Sequence, residues 1–215
     1  MKKFEIAVIL GFSVCVALAS FQLPFARACN EVRDDTLRLH IVANSDSFED
    51  QSVKLKVRDA VLTQTSDEFW GAADINQAQN QIERGIQKIE RVASNTLVSN
   101  GISYDAHAKI TRMYFDKRTY GKVTLPAGIY TALRIELGQA AGKNWWCVVY
   151  PSLCVPTASD SDPIDEYSDD EKQVVLNSDE YKFKFKLEEV FQKLFARAPE
   201  NISQDDGTLK QNYRC

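Results

Sequence analysis

The stretch that most constrains this chain runs from Thr36 to Leu62, TLRLHIVANSDSFEDQSVKLKVRDAVL. Leu37, Leu39, Ile41 and Ala43 recur at period two with Arg38 and His40 between them, the pattern of a half-buried strand. Val42 is apolar on the other face, so that face is expected to be partly covered too. Asn44-Ser45-Asp46-Ser47 then breaks the run. Ser47 and Asp50 have capping-box spacing, with Asp where Glu or Gln is usual. Glu49 and Asp50 place negative charge in a first helical turn, where the helix dipole favours it. Val53, Val57, Ala60 and Val61 form one stripe at helical spacing. The expected order is strand, polar loop, helix. In an open α/β sheet such a loop lies at the carboxyl end of a strand, a common place for ligands. The same residues equally suit a turn that only caps the helix. No GxGxxG or Walker A motif occurs, so neither a dinucleotide nor a nucleoside triphosphate is indicated.

Residues 1–28 read as an export segment. Lys2 and Lys3 precede the apolar stretch Ile6 to Phe21, and Ala26-Arg27-Ala28 fits a small-x-small cleavage site. The alternative is an uncleaved membrane anchor. Either places the body of the protein outside the cytoplasm, where disulfides form. Of the five cysteines, Cys147 and Cys154 are near enough in sequence to bridge across a turn, the alternative being two buried thiols. His40 and His107 are the only histidines, which leaves little for a metal site. No cofactor is expected. A formal net charge of -4 argues against a general nucleic-acid binder, and 44% hydrophobic residues suffice for a real core.

Further along, Asp74 to Asn100 carries Ile75, Ala78, Ile82, Ile86, Ile89, Ala93 and Leu97 at helical spacing, stopped by Asn100-Gly101. Residues 102–116 return to period two and predict a strand, followed by a turn over 117–121 and a short strand over 122–125. Residues 130–137 fit helix or strand. Trp145 to Pro151 predicts a buried strand whose adjacent tryptophans face opposite ways. Residues 157–180, rich in acid and serine, predict a linker. Tyr181, Phe183 and Phe185 alternate with lysines and predict a strand leading into a C-terminal helix, over 181–198, before a tail at 199–215. The fold class expected is α/β or α+β: a single compact core over 31–156 with a mixed sheet, two long N-terminal helices and a C-terminal helix.

Three segments together resemble the stage II sporulation protein R family of endospore-forming bacteria: Leu37 to Leu62, LPAGIYTALRIELG from Leu125 to Gly138, and GKNWWCVVYPSLC from Gly142 to Cys154. The resemblance implies a signalling protein made in the forespore and exported to the space between forespore and mother cell. Its partner there is a membrane-embedded aspartic protease that processes the sigma-E precursor. On this reading the chain is the ligand and not an enzyme, and the family supplies no catalytic set to carry over. The expected partner-contact residues are Arg38, His40, Asn44, Ser45 and Asp46, with Asn144, Trp145 and Trp146. The rival readings are a secreted hydrolase acting on peptidoglycan, whose zinc version needs His40 and His107 to converge, and a purely structural secreted module.

Overall fold

A computed structural model describes residues 3–66, 71–153, 163–177 and 181–195. Its elements in chain order are α1 (Lys3–Asp34), β1 (Leu37–Val42), α2 (Phe48–Gln64), α3 (Ile75–Ser99), β2 (Ala106–Phe115), β3 (Arg118–Tyr120), β4 (Val123–Leu125), β5 (Gly128–Leu137), β6 (Asn144–Tyr150), α4 (Asp169–Leu176) and α5 (Lys182–Phe195). A 3-10 turn at Pro163–Glu166 precedes α4. Four strands form a mixed sheet in the order β2-β5-β1-β6, with β1 parallel to β5 and the other two pairings antiparallel. The result is a mixed α/β fold, as the alternation of strand and helix patterns implied.

The helices form where the sequence supports them. Ser47 caps α2 by accepting from the Asp50 amide at 3.1 Å, and Asp74 caps α3 by accepting from Gln77. Val53, Val57 and Val61 of α2 and Ala78, Ile82, Ile89, Ala93 and Leu97 of α3 pack on Leu37, Leu39, Ile41, Leu133, Ile135 and Leu137 of the sheet. At roughly 1.5–3 kcal/mol for each fully buried aliphatic side chain, this face is the main source of stability.

The opposite face is covered at one end. Val32 of α1, Val123 and Leu125 of β4, Val148 of β6, Tyr167 just before α4 and Val175 of α4 make a second cluster there. The sheet is therefore sandwiched around β1, and every residue of that strand is buried rather than half-buried. Residues 130–137 settle as strand because β5 lies between β1 and β2 and hydrogen-bonds to both.

Three other expectations are corrected. Arg118–Tyr120 is a strand, not part of a turn, because it pairs with Val123–Leu125 as a hairpin. Residues 163–177, expected within a linker, fold. Ser168 and Glu171 make a reciprocal capping box, and Val174 and Val175 are buried. Tyr181 to Phe185 does not form a strand. Phe185 and Glu188 face the domain three residues apart, on the helical period, while Phe183 points to solvent. The 199–215 tail and Cys154 lie outside the described residues.

Helix α1 continues past Ala28, the end of the expected export segment. It runs unbroken to Asp34, and Phe25, Ala28, Cys29, Val32 and Arg33 are buried. Its earlier turns are exposed. Among the described residues no helix is long and apolar enough to cross a membrane; the side chains of residues 17–19 and 21 of α1 fall outside that description.

Candidate functional site

At the carboxyl end of β1 the chain leaves the sheet through Asn44 to Ser47, and beside it runs the connection from β5 to β6, Gly138 to Lys143. The two loops are stitched together. The Asn44 carbonyl accepts from the Ala141 amide at 3.2 Å and the Ala43 carbonyl from the Gly142 amide at 2.9 Å. The Asn44 side-chain oxygen accepts from the Gln139 amide at 2.9 Å, and Asp46 Oδ1 accepts from the Lys143 amide at 2.7 Å. Lys54 Nζ donates to the Lys143 carbonyl at 2.9 Å. The approach leaves no room for a side chain at Gly138 or Gly142 of the second loop. A Cβ on Gly142 would overlap the Ser45 carbonyl, and one on Gly138 (φ +56°) would overlap the Asn44 amide group.

Asp50, in the first turn of α2, is the hub beneath. Its carboxylate accepts from Asn44 Nδ2 at 2.9 Å, Ser45 Oγ at 2.5 Å and Tyr104 Oη at 2.6 Å. Burial pushes this carboxyl up, but the hydrogen bonds from Ser45, Tyr104 and Asn44 outweigh it and leave it below its ordinary value. The capping reading of Asn44, Ser45 and Asp46 therefore has a full set of partners.

The sheet's second face starts directly beside this loop pair. Cross-strand pairing sets His40 opposite Trp146 and Val42 opposite Asn144. His40 stacks on Trp146 with ring centroids 4.0 Å apart and 5° between planes, and its Nε2 meets Asn144 Oδ1 at 2.7 Å. Arg118 lies over the outer side of Trp146 at 5.3 Å. Deeper in, the Arg38 guanidinium is wholly buried. It sits over the rings of Phe115 at 4.3 Å and Tyr130 at 5.0 Å, and donates to the Cys147 carbonyl and to Tyr120 Oη. Among the described residues its Nη1 has no hydrogen-bond partner. Aromatic faces take the place of a carboxylate for this cation.

Burial, more than any neighbouring charge, lowers the His40 pKa to about 3. The folded value lies below the unfolded one, so the unfolded chain binds the extra proton and stability is complete above about pH 6.5. Between there and pH 3 the group should remove stability at roughly 1.4 kcal/mol per pH unit. Urea unfolding from pH 7 to 4 should show this slope, and His40→Gln should flatten it by about one proton. An unchanged slope would refute the assignment.

Of the residues expected from the sequence to contact a partner, Asn44, Ser45, Asp46 and Asn144 lie at the carboxyl end of β1, His40 and Trp146 stack beside them on one face of the sheet, Trp145 lies on the other face, and Arg38 sits near the start of β1. Arg38 and His40 are buried. Asp46 is exposed, and Asn44, Ser45, Asn144, Trp145 and Trp146 are half-buried. The two tryptophans do face opposite ways. Trp145 packs on the main core beneath Arg58, whose guanidinium lies 4.2 Å from its ring, and Trp146 lies on the His40 side. His40 and His107 do not converge. They sit on β1 and β2 with β5 between them, and His107 pairs with Glu90 at 3.0 Å. Among the described residues no three His, Cys, Asp or Glu side chains gather as a metal site would require. Tyr104, Gly138, Gly142, Phe115 and Arg118 were not anticipated. The two glycines flanking Gln139 to Ala141 were the available hint of close backbone approach.

This geometry defines a mixed α/β domain with a rigid loop pair and an aromatic-cationic shelf at one end of its sheet. The family model for Stage II sporulation protein R matches residues 33–160, and Stage II sporulation protein R of Bacillus subtilis (strain 168) is 31% identical over 182 residues, covering 82% of this chain and 77% of that protein. The chain belongs to the Stage II sporulation protein R family. No solved structure matches it significantly.

Proposed function

We propose that this protein is a sporulation signal exported from the forespore into the intermembrane space, where it activates the membrane-embedded aspartic protease that processes the sigma-E precursor. Membership of the Stage II sporulation protein R family carries this reading. The protein acts as a ligand, and the proteolytic chemistry belongs to its partner. The contact face is the loop pair with its shelf: Asp46 and Ser45 on one side, Asn144 and Trp146 on the other, with Arg38, His40 and Asn44 holding them in place. An aromatic ring set among polar groups is the usual form of a binding anchor. Cys147 pairs with Cys154. The N-terminal segment directs export and gives any membrane association.

Co-production of the chain, the protease and the sigma-E precursor tests this. Precursor cleavage should depend on the chain, and no cleavage with folded chain present would sink the proposal. Trp146→Ala, with folding checked by circular dichroism, should reduce cleavage about tenfold or more. Full activity of that folded variant would remove Trp146 from the contact face.

A further inference from the structure

The last turns of α1 lie inside the fold, and α5 is fastened to them at two points. Phe25 enters a slot between α4 and α5. Its ring is 5.1 Å from Phe185, edge to face, and 5.2 Å from Tyr181, with Val174 and Cys29 completing the cluster. Lys184 lies over both the Phe25 and Tyr181 rings, at 5.7 and 5.2 Å. Two turns on, Arg33 Nη2 meets Glu188 Oε1 at 2.8 Å in a buried ion pair, and Arg33 Nη1 donates to the Ala127 carbonyl at 2.9 Å. Phe185 and Glu188 are three residues apart, so both fastenings use one face of α5.

We propose that Phe25 to Arg33 is a latch that docks α5 on the domain, so that cutting the chain after Ala28 releases α5. The bond between Ala28 and Cys29 lies within the helix, with both residues buried. A peptidase needs that segment extended, so a cut there must precede docking. The cut would also dismantle the latch. Phe25 would be lost, leaving a ring-sized void among Tyr181, Phe185 and Val174. The new ammonium group would fall at fully buried Cys29, one turn from the Arg33 cation. Only Cys29 to Asp34 would remain of α1, too short to hold helical form unaided. Arg33 would then lose its fixed position and Glu188 its buried partner. The domain with α5 docked is therefore the uncut domain, and its boundary with the export segment lies before Phe25.

Hydrogen exchange on the full chain tests the latch. In Phe25→Ala the amides of 182–195 should exchange about tenfold faster or more, with β1 and β5 unchanged. Unchanged α5 protection would overturn the proposal. If Phe25→Ala loses protection everywhere, Phe25→Leu decides: earlier loss in α5 than in the sheet supports the latch, and simultaneous loss refutes it. Mass spectrometry of the exported protein supplies the second arm. A product beginning upstream of Phe25 should keep α5 protected, and one beginning at Cys29 should not. A product beginning at Cys29 with α5 as protected as in the full chain would overturn the inference.

Discussion

Asp50→Ala should lower the unfolding free energy by about 3 kcal/mol, a fall of about 6–12 °C in Tm for a chain of this size. The alanine removes one acceptor that serves three donors, Asn44 Nδ2, Ser45 Oγ and Tyr104 Oη. Hydrogen bonds to a charged acceptor are among the stronger ones, and each donor left half-buried without a partner adds its own cost. Asp50→Asn keeps the volume but turns one oxygen into a donor facing donors, so it should recover only part of the loss. The pH dependence has a definite sign. The folded carboxyl lies below its unfolded value, so its contribution is complete above the unfolded pKa of about 4 and is lost as pH falls through the folded one. Urea titrations of the three proteins at pH 7 and pH 3 check both points. An Asp50→Ala protein as stable as the parent would mean that the loop holds itself without the hub.

The local patterns around this hub are legible in the sequence itself. Period-two leucines marked β1, and Ser47 and Asp74 marked the starts of α2 and α3. The mixed sheet and its helical layer follow from such patterns because each depends on residues within a few positions. What escaped depends on distant partners. Arg38 and His40 read as part of a half-buried strand whose second face is only partly covered, since nothing local shows that Phe115, Tyr130 and Trp146 will enclose them. The alternation of Tyr181, Phe183 and Phe185 fitted a strand, but the helical pair Phe185 and Glu188 met α1 instead. The acidic run before α4 hid a capping box at Ser168 and Glu171 whose spacing was present all along. At the candidate site the Asn44 to Ser47 loop could be named from the sequence, but not its contact with the β5–β6 connection, which joins positions 97 residues apart through Asp46 and the Lys143 amide.

That contact makes Gly142→Ala the sharper probe of the face. The new methyl group would meet Ser45 backbone, the carbonyl oxygen and carbon and, at 2.9 Å, Cα. Backbone cannot turn aside as a side-chain tip can, so the loops must separate or the strand ends must shift. Overpacking of this kind costs about 1–3 kcal/mol, and the upper end applies where main chain blocks relaxation. Separation would stretch the bonds from the Lys143 amide to Asp46 and from Lys54 to the Lys143 carbonyl. It would also move the start of β6, where Asn144, Trp145 and Trp146 emerge. The near-ultraviolet circular dichroism of the tryptophans should therefore change along with the Tm, and activation of the proposed protease partner should fall even where the domain remains folded. Gly101→Ala is the matched control. Its Cβ meets nothing within 4 Å, and its φ of +77° costs only the backbone strain of a left-handed alanine, about 1–2 kcal/mol. Gly101→Ala should leave the tryptophan signal and activation intact. If Gly142→Ala behaves the same way, the loop pair yields without disturbing the shelf, and the face does not depend on how closely Ser45 and Gly142 approach.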